Sequence, residues 1–99
     1  MTKRELNDKL AELYGLEVSM MTDYDIYGND FEVLLIDDWN RLMPLAILNN
    51  IGFVAMNTIV LAGIDEIEAK ENYSDHESPD AAARYAIAMA LVKLAESKS

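Results

Sequence analysis

Apolar residues recur along this chain with two periods. Leu6, Leu10 and Leu13 stand at helical spacing behind Thr2 and Glu5, a capping-box pair, and stop before Gly15; this predicts a helix from Lys3 to Tyr14. Leu16, Val18 and Met20 then alternate with Glu17 and Ser19, the period of a short strand. Tyr24 to Asp30 is turn material around Gly28-Asn29. The run Phe31 to Ile36 suits a strand, although Phe31, Leu34, Leu35, Trp39 and Leu42 also fit a helical stripe; we read it as extended. Asp37 or Asp38 then caps a helix from Trp39 to about Asn50, ended by Gly52. Pro44 inside it predicts a kink or a fresh helix start near Leu42.

Phe53 to Ile64 is β-rich and uncharged, and Asp65 to Tyr73 is a polar alternating run with Ile67 and Ala69 inward. Together they predict two neighbouring antiparallel strands with a turn near Gly63 to Glu66, then a loop from Ser74 to Glu77. The last stretch, Ser78 to Glu96, opens with Ser78-Pro79-Asp80, residues that suit the free amides and positive end of a helix start. Ala83, Ala86, Ile87, Ala90, Leu91 and Leu94 line one face, and Tyr85, Met89 and Val92 make the opposite side apolar too. A helix this apolar all round is buried on more than one side. The expected fold is α+β, a small sandwich in one domain over residues 1–99, with 97–99 a loose tail. An antiparallel sheet of three to four strands is flanked by an N-terminal, a middle and a long C-terminal helix.

From Leu42 to Ile64 no residue is charged, long enough for a membrane span. Asn49, Asn50, Asn57, Gly52 and Pro44 interrupt it, so a buried core segment is expected and no membrane association. The chain has no cysteine, which excludes disulfides and thiolate chemistry. Its opening residues lead into a charged amphipathic segment rather than an apolar stretch, so a cytoplasmic location is expected, and the Asn72-Tyr73-Ser74 glycosylation sequon carries no meaning there.

The net charge of −10 is segregated. Asp23, Asp25, Asp30, Glu32, Asp37 and Asp38 fall between Thr22 and Asn40 with no base among them. Asp65, Glu66, Glu68, Glu71, Asp75, Glu77 and Asp80 follow with only Lys70. Such a field repels nucleic acid and anionic lipid and favours a basic partner surface; it also simply keeps a small protein soluble.

The chemical constellations are few. Asp23-x-Asp25-x-Tyr27-Gly28 resembles the front of a calcium loop, but the bidentate glutamate due at its twelfth position is Leu34. One histidine, His76, cannot build a histidine-based zinc site. Ser74-Asp75-His76-Glu77 holds the residue types of a hydrolase triad, but sequence neighbours point apart. Four isolated glycines make no phosphate loop. No catalytic residue, metal site or cofactor is therefore assigned. Tyr24, Tyr27, Phe31 and Trp39 lie among the first acids and suit a protein-binding patch, with Phe31 and Trp39 the better core candidates.

Asp38-Trp39-Asn40-Arg41-Leu42-Met43-Pro44-Leu45, then Asn50-Ile51-Gly52-Phe53-Val54, then the Ser78-Pro79 helix closing at Leu94-Ala95-Glu96, resemble the small phage-encoded NinX-like proteins, or phage ABA-sandwich domains. The resemblance covers roughly Leu6 to Glu96 and implies a small α/β sandwich encoded by a bacteriophage or prophage. It departs where family members place an arginine soon after the proline and a tryptophan in the central strands. Here Arg84 follows Pro79 at five residues and Trp39 is the only tryptophan. The family carries no established activity, so no functional residues transfer.

Three classes of function fit the chain. The first is a non-enzymatic accessory protein that binds the basic surface of a host or defence protein in the host cytoplasm. Asp23, Asp25, Asp30, Glu32, Glu68 and Glu71 are its candidate contacts. The second is a homo-oligomer formed through the alanine-rich C-terminal helix, around Ala86 and Ala90. The third, an enzyme, needs a pocket of converging acids that nothing in the sequence requires.

Overall fold

The computed structural model describes residues 2–16, 20–24 and 30–98, of which 20–24 and 30–33 enter through their backbone pairing. It is an α+β fold in which a long C-terminal helix lies on a three-stranded antiparallel sheet. The first helix, α1 (Lys3–Leu13), begins at a complete capping box: Thr2 Oγ1 accepts from Glu5 N at 3.1 Å, and Glu5 Oε1 accepts from Thr2 N at 3.3 Å. Gly15 at φ 65° ends it, letting Leu16 N return to Ala11 O. Leu16 thus closes the helix instead of opening a strand. The first strand, β1 (Met20–Tyr24), starts where the expected one ended, and residues 17–19 lie outside the described set.

β1 pairs antiparallel with β2 (Asp30–Leu34), so the run from Phe31 is extended as far as Leu34. The chain then turns through a 3-10 helix, Leu35–Asp37, which plants Leu35 and Ile36 in the core. The ribbon β1–β2 is a sheet of its own, separate from the three-stranded one. The turn expected within Tyr24 to Asp30 falls mostly on residues 25–29, outside the described set.

Asp38 caps α2 (Trp39–Leu48), accepting from Asn40 N at 3.0 Å. The helix runs unbroken through Pro44, with no fresh start near Leu42. Pro44 and Asn40 are both exposed, so water can meet the carbonyl that the missing N–H leaves open. The helix ends earlier than expected, at Asn49, and Asn50 rather than Gly52 makes the reversal, with φ 60° and Ile51 N bonded to Ala46 O. Gly52 instead opens a strand.

Phe53 to Ile64 is not one strand but parts of two. β3 (Gly52–Ala55) pairs antiparallel with β4 (Ile59–Ile64), and Met56 N donates to Ile59 O across the reversal. No glycine or proline marks that reversal, which hid it from the sequence. β4 pairs antiparallel with β5 (Ile67–Asn72), turning at Asp65 (φ 52°) and Glu66 as expected. Gly63 is required beside that turn: a Cβ there would stand 2.0 Å from Ile67 O.

A second 3-10 turn, Tyr73–Asp75, leads to Ser78, whose Oγ accepts from Ala81 N at 3.0 Å and starts α3 (Pro79–Ser97). α3 packs against β4 and β5 on one side and against α1 and α2 on others. Ala82, Ala83, Ala86, Ile87, Ala88, Ala90, Leu91 and Val92 are all buried. The alanines allow the sheet and helices to approach closely, while Leu6, Leu10, Leu42, Ile87 and Leu91 fill the space between. Each such fully buried aliphatic side chain contributes about 1.5–3 kcal/mol relative to exposure. Tyr14 Oη donates to Leu91 O at 2.6 Å, and buried Asn7 Oδ1 accepts from Ile36 N at 3.0 Å. Among the described residues no helix is long and apolar enough to cross a membrane.

Candidate functional site

Those acids singled out by the sequence that fall among the described residues are spread over two separate sheets. Asp23, Asp30 and Glu32 lie on the β1–β2 ribbon, where Glu32 stands opposite Thr22, Asp30 opposite Tyr24 and Asp23 opposite Phe31. Asp25 lies outside the described residues, as does most of the calcium-loop pattern.

Glu68 and Glu71 are three positions apart on β5 and so fall on opposite faces of the sheet. Glu68 is exposed, and its backbone carbonyl accepts from Lys93 Nζ at 2.8 Å. Glu71 is half-buried, with His76 Nε2 2.8 Å from its Oε1. It is held inside the fold. The His76 ring also lies 5.0 Å from that of Tyr85, whose phenol is pushed up by burial and then by the negative charges of Glu71 and Glu5. His76 thus pairs with a residue five positions back, not with Ser74, Asp75 or Glu77.

Exposed carboxylates include Asp65 and Glu66 in the β4–β5 turn, Glu68 beside them, and Asp75 and Glu77 before α3, as well as Glu5, Asp8 and Glu12 on α1 and Asp80 and Glu96 on α3. Four of the eight lysines and arginines are occupied elsewhere: Lys3 pairs with Asp37, Arg4 with Asp8, Lys9 with Glu96 and Arg84 with Asp80. Asp65, Glu66, Glu68, Asp75 and Glu77 take part in none of the ion pairs among the described residues.

Trp39 is taken up by structure. Its Nε1 donates to both carboxylate oxygens of Asp80, at 2.9 and 3.0 Å, and the Arg84 guanidinium lies 5.6 Å from its ring while pairing with the same carboxylate. The Trp39 hydrogen bonds, helped by Arg84 and opposed by partial desolvation, hold the Asp80 carboxyl below its ordinary value. Asp80 therefore occupies the start of α3 where an anion would bind. The cluster locks α2 to α3, and Phe53, 6.0 Å from Trp39, extends it to β3.

Two open cavities lie elsewhere. One, of about 520 Å³, is lined by Leu16, Leu35, Asn40, Arg41, Pro44 and Leu45 among others and is mostly apolar. The other, of about 420 Å³, lies over the glycine pair Gly52–Gly63, with Val54 and Leu61 as its apolar walls and Asp65 and Glu68 at its rim. No group of three or more potential metal ligands forms among the described residues.

The sequence missed an exposed apolar stretch. The uncharged segment expected in the core has its middle outside it: Ile47 is 67% exposed, Leu48 79%, Val54 60% and Met56 52%, with Phe53 at 41%. Conversely Ala86 and Ala90, proposed as an oligomer face, are wholly buried within the chain. Neither protein-family models, curated proteins nor solved structures match this chain.

Proposed function

We propose that this chain is a non-enzymatic accessory protein of a bacteriophage or prophage that binds a basic surface on a host or defence protein in the host cytoplasm. The observation that carries the binding mode is the run of exposed carboxylates at Asp65, Glu66 and Glu68, which take part in none of the ion pairs among the described residues. The resemblance of the Trp39–Leu45 and Ser78–Glu96 stretches to NinX-like proteins supports the phage source. Glu71 drops out of the contact set because His76 holds it; Asp65 and Glu66 enter instead. The acids of the β1–β2 ribbon, Asp23, Asp30 and Glu32, are a second contact region of the same sign.

Binding of this kind is steered by charge and weakens as salt screens it beyond a Debye length of about 8–10 Å. The immobilised chain, exposed to host lysate at low salt, should retain one basic protein that a salt step releases. Replacing Asp65, Glu66 and Glu68 together by lysine should abolish that capture without unfolding the chain. Retention unaffected by salt or by the charge reversal would remove the acidic surface from the function.

A further inference from the structure

We infer that the free edge of β3 pairs with the same edge of a second copy, joining two three-stranded sheets into one of six strands. The inference is independent of the acidic-surface reading and rests on hydrogen-bond parity, side-chain size and charge along one strand.

β3 is the outer strand of the order β3-β4-β5, and every residue in it is exposed. Met56 N bonds to Ile59 O, so within this register Val54 and Gly52 also direct their backbone groups towards β4. Phe53 and Ala55 therefore direct theirs outward, to the open edge. An antiparallel match that places Phe53 opposite Ala55 of the second copy, and Val54 opposite Val54, uses these outward groups alone. The neighbouring registers do not: one needs Ile51, whose N–H already bonds Ala46 O, and the other needs Asn57 in the reversal before β4.

The side chains fit the same register. Val54 meets its twin in a non-hydrogen-bonded pair, where Cα atoms approach to about 4.5 Å. Met56 comes opposite Gly52 of the other copy, on the sheet face away from α3, where Gly52 and Gly63 leave the cavity of about 420 Å³. A long unbranched side chain suits that gap. On the α3 side, half-exposed Phe53 comes opposite the small Ala55. Nothing guards the edge: β3 holds no lysine, no proline and no charge, the devices that commonly keep an edge strand unpaired. No charge stands opposite another in the pairing, since none occurs from Leu42 to Ile64.

A strand this short buries less than the roughly 800 Å² per partner of a stable interface, so the dimer is reversible and concentration-dependent. Two copies of net charge −10 also repel at long range, so salt strengthens the pairing. That is the opposite of its effect on an acidic surface meeting a basic partner, and the two readings fail separately.

The test is sedimentation equilibrium and amide NMR on the whole chain, from about 10 µM to about 1 mM at low and moderate salt. The mass should climb from 11.1 kDa towards twice that value. The Phe53 and Ala55 amides should shift and gain exchange protection with concentration, more so in salt. Ala55→Pro removes an outward donor without touching the β4 ladder, and Val54→Lys sets two ammonium groups face to face at the two-fold; each should hold the chain at one copy. If Ala55→Pro fails to fold, Val54→Lys alone decides. A monomer at the highest concentration in salt, or a dimer that survives a folded variant, would overturn the inference.

Discussion

From Ala81 to Ala95 the chain carries only Arg84 and Lys93 as charges, and from Leu42 to Ile64 it carries none. By composition both belong inside. The fold buries the first on several sides, with Ala82, Ala86, Ile87, Ala90 and Leu91 all inaccessible, and leaves Ile47, Leu48, Val54 and Met56 of the second more than half exposed. Position in the architecture separates them. α3 lies between the sheet and α1 with α2, so each of its faces meets a neighbour. β3 is the last strand of its sheet and, among the described residues, has no strand paired to its outer side. Hydropathy says what could be buried; the order of strands decides what is.

That contrast can be broken most sharply at α3. Ala90→Asp places a charge in a site with no exposed surface and should cost at least about 3 kcal/mol, read from urea unfolding. Were Ala90 part of an interface between copies, the same change would lower mass and leave monomer stability intact. Asn7→Ala should cost about 1–3 kcal/mol, because Ile36 N would lose its buried acceptor where α1 meets the turn before α2. Ser78→Ala removes the cap of α3 and should cost about 1 kcal/mol. Val54→Lys, on the bare strand, should change unfolding by no more than about 0.5 kcal/mol while ending self-association.

A pH series sharpens the junction of α2 with α3. The fold lowers the Asp80 pKa, so its contribution is complete above the unfolded value and is lost as pH falls through the folded one. Asp80→Asn should therefore flatten the acid limb of the stability curve below the ordinary aspartate value. An unchanged acid limb would mean that the Trp39 and Arg84 contacts do not stabilise the charged carboxylate.

The helices were legible because their ends are written locally. Thr2 with Glu5, Asp38, and Ser78 with Pro79 each act within three residues, and all three caps form. The turn at Asp65-Glu66 was legible for the same reason. The reversal at Met56-Asn57-Thr58 was not, since no glycine or proline marks it, and missing it concealed the edge strand altogether. The candidate acids were legible as a charge pattern only. Whether Glu71 is free depends on His76 folding back onto it, and no local signal carries that. The same holds for Trp39, whose partner Asp80 is forty-one residues away.

The most direct measurement of this contrast is amide hydrogen exchange on the dilute chain, resolved by residue. The α3 amides from Ala86 to Val92 should exchange only through global opening. Along β3 the rates should alternate, with Val54 slowed by its bond to β4 and Phe53 and Ala55 exchanging quickly from the open edge. Slow exchange at Phe53 and Ala55 in a dilute monomer, or fast exchange through the middle of α3, would contradict the account of a covered helix and a bare strand.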